Sequence, residues 1–262
     1  AKSRQEENHN IVQLSGSMCS IYKNSWDNTA NTTALGTGGL DEADTTSGAR
    51  SEVSYNTTNW VSDDGLEVDG CHGINTVVYK NSTLKSLHAL SSTHIFSGPM
   101  WIVFNTNQNY GNRAEGGGHK IGGTGSNGLL LVYNNTFTTR ALSAVAPSIN
   151  ATGAVSRLAY RNNILVGTGS AAASTYAVAL TNATEVLGTS FNYNLHDSVD
   201  VGRTARFMAV EYSIGTGTAG ASTPWQTTRG WDVDGLRAAP ALQDTASRNL
   251  TPSGSSPAVD VG

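Results

Sequence analysis

Short apolar runs, each followed closely by an asparagine, recur along this chain. They read "SIYKNSW", "VSYNTTNW", "VVYKNSTL", "WIVFNTNQ", "LLVYNNTF", "LAYRNNIL" and "SFNYNL". The asparagines that mark them are Asn24, Asn56, Asn81, Asn105, Asn134, Asn162 and Asn192, at spacings of 32, 25, 24, 29, 28 and 30 residues. Each period holds two or three β-rich runs broken by Gly, Ser, Asn or Asp. None holds ten or more residues with a 3.6-residue rhythm, so long helices are not expected. Periods of this size built from short strands predict a parallel β-solenoid, in which each coil buries its inward residues against its neighbours. Coils stack about 4.8 Å apart. Asparagine suits the corner between two strands because it tolerates a left-handed backbone and its amide can bond the same group one coil on. The expected fold is therefore all-β, a right-handed parallel β-helix of about seven coils. A β-sandwich would show stricter alternation and more Asn-Gly hairpins, and a propeller would show about four strands per period. The rhythm fades after Asn194. Residues 1–198 read as coils, and 199–262, with four of the six prolines, as an irregular last coil and cap of the same domain.

Composition narrows the function. The net charge is −4, charged residues make up 14% of the chain, and no Lys/Arg cluster appears, so nucleic acid and anionic membrane are poor partners. The longest apolar runs are far too short to span a bilayer. Cys19 and Cys71 make neither a disulfide scaffold nor a zinc site, and whether they pair stays open. Low cysteine with abundant Ser, Thr and Asn points weakly to a secreted or extracellular protein. Sequons stand at Asn31, Asn56, Asn81, Asn134, Asn150, Asn182 and Asn249, a number close to chance, which permits glycosylation without indicating it.

The candidate chemistry begins at "SDDGLEVDG", residues 62–70, where Asp63, Asp64, Glu67 and Asp69 crowd together. Three readings stay open: a polar turn built on the two Asp-Gly pairs, a site for a divalent cation, and a metal-free acid pair. Coil stacking brings this stretch near "HKIGG", two coils on, with Lys85 and His88 on the coil between. One face carrying Asp63, Asp64, Glu67, His88, His119 and Lys120 is expected. Trp60, Trp101, Trp225 and Trp231 are candidates for stacking on sugar rings. Trp101 reads as core, and Trp225 and Trp231 read as exposed. Asp41, Glu42 and Asp44 fall in an expected excursion loop, residues 39–50. The Gly-rich "EGGGHKIGGTGSNG" lacks the strand–loop–helix context of a phosphate cradle.

The run "DDGLEVDG…NTVVYKN…GPMWIVFN…HKIGG…LLLVYNNTF…LAYRNNIL…FNYNLHD", closing on "SPAVDVG", resembles the secreted right-handed parallel β-helix proteins of the pectate-lyase-like superfamily. The resemblance covers roughly residues 10–262. Members begin with further coils and a cap, so it implies that this chain is the C-terminal part of a longer helix. "DDGLE" and "HKIGG" look like two motifs of polysaccharide lyase family 9, where an Asp-Asp-Gly-x-Asp stretch binds calcium and a lysine in a Gly-rich stretch is the base. Glu67 stands where that family has Asp. The resemblance implies calcium on Asp63, Asp64 and Glu67, and Lys120, His119 and His88 as catalytic candidates. Trp60, Lys85 and Arg113 are the corresponding substrate candidates. The implied function is calcium-assisted β-elimination on an acidic polysaccharide. The alternative is a non-catalytic structural or adhesive module, glycosylated or self-associating through its ends or faces.

Overall fold

The computed structural model describes residues 12–13, 20–23, 25–27, 40–41, 50–59, 64–69, 72–93, 95–110, 117–122, 128–139, 149–151, 155–167, 177–180, 186–198, 205–207, 210–212, 224–244 and 249–259. These form a parallel β-solenoid with three strands per turn. Sheet I has nine strands, sheet II seven and sheet III eight, and within each sheet successive members come from successive turns, except the last strand of sheet I. Sheet I includes Leu66–Glu67, His88–Thr93 and Gly117–Gly122. Sheet II runs from Ser20–Tyr22 to Ser190–Asn192, and sheet III from Ser25–Asp27 to Leu236–Arg237. Among the described residues, parallel pairing is broken at the chain's later end, where Val210–Tyr212 pairs antiparallel with Ala205–Phe207 and Leu242–Asp244 with Asn249–Pro252.

Register makes the core. Along sheet II the pairs Val53↔Val78, Ile102↔Val132 and Tyr160↔Phe191 stack identical rows of apolar residues inward. Along sheet I, Leu66, Leu90 and His119 share one inward row. Each buried Val, Leu or Ile gains about 1.5–3 kcal/mol by leaving water, but only once the next turn covers it. From its second strand the inside of sheet III is polar, with Thr58, Thr83 and Asn107, and it becomes apolar at Phe137 and Leu165.

The corner between sheets II and III carries the asparagines, one position away from where the repeat places two of them and two positions away from a third. Asn56 Nδ2 donates to Asn81 Oδ1 at 2.9 Å, and the chain continues through Asn105, Asn135, Asn163 and Asn194 at 2.9–3.0 Å. From Asn81 onward each oxygen also accepts the backbone N–H of the preceding member, and each Nδ2 also donates to a strand carbonyl, as Asn105 does to Val78. Asn134, Asn162 and Asn192 are therefore not ladder members. Asn134 and Asn162 are exposed and occupy the left-handed position just before the ladder residue, with φ of 58° and 56°. The left-handed residue at this corner is thus the neighbour of the ladder asparagine, not the asparagine itself. Lys23, Tyr55, Lys80, Phe104 and Tyr193 fill that place in the other turns, with φ between 53° and 58°.

The ladder ends on an acid. Asn194 Nδ2 donates to Asp232 Oδ1 at 2.7 Å, and Asp232 Oδ2 takes His196 Nε2 at 2.9 Å and Trp225 Nε1 at 3.4 Å. Every amide in the ladder points its N–H toward this end, so the carboxylate faces the positive pole of an aligned row of dipoles.

The later end of the chain closes the solenoid in two ways. A short helix, Pro224–Arg229, sets Trp225 beneath Phe191, and Trp231 packs beside both. Both tryptophans are buried, against their expected exposure, because the rings of Phe191, Phe207 and Tyr212 pack on them. Beyond them, Leu236, Ala238, Leu242 and Ala258 lie over Ile164, Val166 and Leu195 on the outside of sheet III. This segment covers a side of the solenoid as well as its end. No helix among the described residues is long and apolar enough to cross a membrane.

Candidate functional site

The stretch "DDGLEVDG" enters sheet I at its corner. A Cβ on Gly65 would stand 3.0 Å from the Ala89 carbonyl oxygen and 3.0 Å from the Thr83 methyl, so glycine lets the chain press against the next turn there. Gly65 N–H then donates to the His88 carbonyl at 2.9 Å, which seats the Asp64 side chain over His88. Two residues further, Leu66 faces inward and Glu67 outward, in register with Ser91 and then Lys120. The strand Gly117–Gly122 alternates in the same way, His119 inward and Lys120 outward.

Lys120 lies two turns from Asp64 and bridges the gap with its own length. The small Ser91 stands between them, and Lys120 Nζ passes it to reach Asp64 Oδ2 at 2.6 Å and lie 3.9 Å from Asp69 Oδ2. The other Asp64 oxygen accepts His88 Nδ1–H at 2.6 Å and the His88 backbone N–H at 3.2 Å. Asp69 accepts Ser91 Oγ at 2.7 Å, and Thr93 N and Oγ1 both at 2.6 Å. The result is a cluster of two aspartates, one lysine and one histidine, with Asp64 only 1% exposed and the Lys120 side chain 22%.

Electrostatics sets the charge states. Burial pushes the Asp64 carboxyl up, but hydrogen bonding to His88 and the charges of His88 and Lys120 outweigh it and hold it well below the usual carboxylate range. Burial lowers the Lys120 ammonium, yet Asp64, Asp69 and Glu67 together leave it raised above an ordinary lysine. Lys120 therefore stays protonated, whereas a lysine acting as base needs a depressed value. Burial, with the nearby His88, lowers His119 to about 3, so His119 is neutral.

The expected face is assembled in part. Asp64, Glu67, His88 and Lys120 lie together at sheet I, with Glu67 and Lys120 in its outward row and Asp64 and His88 buried beside them. His119 does not join them: it is buried in the core, shares hydrogen bonds with Ser92 Oγ at 2.6 Å and with the Tyr160 hydroxyl, and stacks on Phe137. Its position next to Lys120 puts it on the opposite side of the strand. Asp69 is the residue that the motif comparison leaves out, and its signal was the second Asp-Gly pair. Lys85 is half-buried at a left-handed corner, φ 57°. Asp63, Trp60, Arg113, Cys19, Cys71, Glu42 and Asp44 lie outside the described residues, as do Asn31 and Asn182. Asp41 pairs in sheet I with Glu67. Trp101 is 37% exposed on the outer face of sheet II and is not core. Of the sequons, Asn56 and Asn81 are locked inside the ladder, which leaves no amide for a glycan, whereas Asn134 and Asn249 are exposed. Asn150 pairs with Lys120 in sheet I.

Of the expected calcium ligands, Asp63 lies outside the described residues, and Asp64, with the neighbouring Asp69, already has internal partners. Both Asp64 oxygens and both Asp69 oxygens are committed to N–H or O–H donors, and a protonated lysine already sits between them. Among the described residues, no group of three or more His, Cys, Asp or Glu side chains is placed to hold a metal ion. One group is left over: His88 Nε2 is buried and has no hydrogen-bond partner. An orphaned buried nitrogen costs about 1–3 kcal/mol and calls for an explanation.

Compared with known proteins, the chain matches no family model, no curated protein and no solved structure.

Proposed function

We propose that this β-solenoid is an extracellular protein acting on an acidic polysaccharide by metal-free β-elimination. The observation that carries the reading is the Asp64–His88 pair, with His88 Nε2 unpartnered, beside a lysine held in its charged form. The motif and coil resemblance to the pectate-lyase-like superfamily supports the choice of substrate class. The family 9 likeness supports the location, with the roles reassigned.

In this reading Asp64 accepts the His88 Nδ1–H and orients the ring, so that the unprotonated form of the imidazole presents its Nε2 lone pair as base. Lys120 has three N–H donors and neutralises the uronate carboxylate, which acidifies the adjacent C5–H. Nε2 takes that proton, the C4–C5 double bond forms as the C4–O bond breaks, and the leaving oxygen takes a proton from water. The ring nitrogen is covered in the free protein, so substrate entry must uncover it.

The test is ultraviolet detection of the unsaturated uronate on polygalacturonate and alginate, with and without chelator. Product that persists in chelator and disappears in His88→Ala and Lys120→Gln supports the reading. Product that needs calcium, or that survives His88→Ala, refutes it. A second reading draws on the closure of the cluster, in which nearly every donor and acceptor is satisfied internally: a structural or adhesive module whose charges staple three turns together. No product on any acidic substrate from folded protein would favour it.

A further inference from the structure

The left-handed corner between sheets II and III presents one residue per turn to solvent: Lys23, Tyr55, Lys80, Phe104, Asn134, Asn162 and Tyr193. Asn134 and Asn162 show that the turn accepts asparagine, the cheapest side chain for this backbone after glycine. All five other places hold an aromatic or lysine whose backbone is strained there and whose side chain lies outside the core, with Phe104 54% exposed. Strain kept at exposed positions where the fold has an unstrained option points to a use for the side chains.

The neighbouring columns extend the same surface. Tyr22 packs edge-on against Tyr55 at 5.6 Å, and Tyr55 against Tyr79 at 5.3 Å. Lys23 Nζ sits 4.9 Å from the centre of the Tyr22 ring, and Lys80 Nζ donates to the Tyr55 hydroxyl at 3.2 Å. Trp101 and Tyr133 meet edge to face at 6.2 Å further along the sheet. At the far end, Asn134, Asn162 and Tyr193 line an open cleft of about 340 Å³ closed on its other side by Pro252 and Ala258. Charge on this side also differs from the chain as a whole. Lys23, Arg50, Lys80, Arg157 and Arg161 are exposed on sheet II and its corners, against Glu52 within the sheet and Asp234 at its last strand, in a chain of net charge −4.

We propose that this aromatic and cationic strip is a second carbohydrate site, which holds an acidic polysaccharide laid along the solenoid axis and entering the cleft at Tyr193. Aromatic residues recur along the axis with the turn spacing of about 4.8 Å, set edge to face against one another, and give a sugar chain apolar contacts at successive turns. The lysines supply the countercharge to uronate or sulfate groups. The strip rests on the acidic-polysaccharide reading for its ligand class, but it lies on a different face from the Asp64 cluster and on none of its residues.

The experiment is affinity electrophoresis through gels carrying polygalacturonate, alginate or uncharged dextran, at low and high salt. The native chain is expected to be retarded by an anionic polymer and not by dextran. Tyr55→Asn with Phe104→Asn should weaken apparent affinity about tenfold, while thermal unfolding stays unchanged or moves up, because asparagine relieves the corner strain. Lys23→Gln with Lys80→Gln should flatten the salt dependence. Strip variants should still release unsaturated product from short oligosaccharides, whereas Lys120→Gln should lose product yet keep retardation, so the two readings fail separately. Retardation by no anionic polymer, or retardation equal in the native chain and the Tyr55→Asn, Phe104→Asn variant, overturns the proposal. So does self-association in sedimentation that Phe104→Asn abolishes without any glycan binding, which would make a second copy the occupant.

Discussion

Two polar stacks cross the turns of this solenoid, and they are built on opposite principles. The asparagine ladder is internal, neutral and repeated: the same bond recurs at separations of 25, 24, 30, 28 and 31 residues. The Asp64 cluster sits at sheet I, is charged and occurs once, joining residues 24 and 56 positions apart. A neutral amide can be buried in every turn because the next amide satisfies it. A buried charge needs a specific opposite charge within reach, which one long lysine supplies once. Repetition suits a scaffold, and singularity suits a site.

The sharpest way to break the contrast is inside the ladder. Asn135→Ala strands the Asn105 N–H groups and the Ile102 carbonyl and should cost about 3 kcal/mol or more. The neighbouring Asn134→Ala loses only a favourable left-handed residue and should cost about 1 kcal/mol. Urea unfolding measures both, and equal losses would show that the ladder is not cooperative.

Next comes the charge cluster. Lys120→Met leaves Asp64 buried and half-paired and should cost about 3 kcal/mol, while Asp64→Asn combined with Lys120→Met should recover much of it. Additive losses would mean that the pair is not coupled.

Acid separates the two stacks without mutation. The folded Asp64 carboxyl lies below its unfolded value, so its contribution is complete above about pH 4 and fades as pH falls toward the folded value. His119 has its folded value lowered from 6.5 to about 3, so the unfolded chain binds a proton that the folded chain refuses, and stability falls as pH drops from 6.5 to 3. The slope is up to about 1.4 kcal/mol per pH unit. His119→Gln should flatten that window and leave the steeper loss below it.

The smallest effect concerns the ladder's end. Asp232→Asn keeps an acceptor for Asn194 but removes the charge that faces the dipole row, and should cost about 1 kcal/mol in the same titration. An unchanged midpoint would show that the amides need no anionic terminus.

The repeat was open to reading because identical positions meet identical positions: the run "VVYKN" stacks on "WIVFN" and then on "LLVYNN" with matching register. The slip by one residue at Asn134 and Asn162 came from doublets, since "NNT" and "NNI" each offer two asparagines and only contact distinguishes the buried one. Asp232 escaped notice because it stands in the ladder without being an asparagine, 38 residues after Asn194. At the cluster, the acids and Lys120 were visible from spacing, but which side of the strand His119 took, and what state Lys120 held, were not. Trp225 and Trp231 lie among polar neighbours in the chain and are covered by rings from distant turns.

The order of residues by itself determined the architecture: short apolar runs at a near-constant period can bury themselves only by stacking turn on turn. It also determined that acids and a lysine would share a face, because the period sets which residues lie at the same height. Only tertiary structure shows what the oxygens of Asp64 and Asp69 meet. Hydrogen bonds from Ser91, Thr93, His88 and Lys120 occupy the carboxylate oxygens, and those donors come from other turns. Protonation states followed from the same convergence, since the field at a buried charge is the sum over neighbours that only folding brings near.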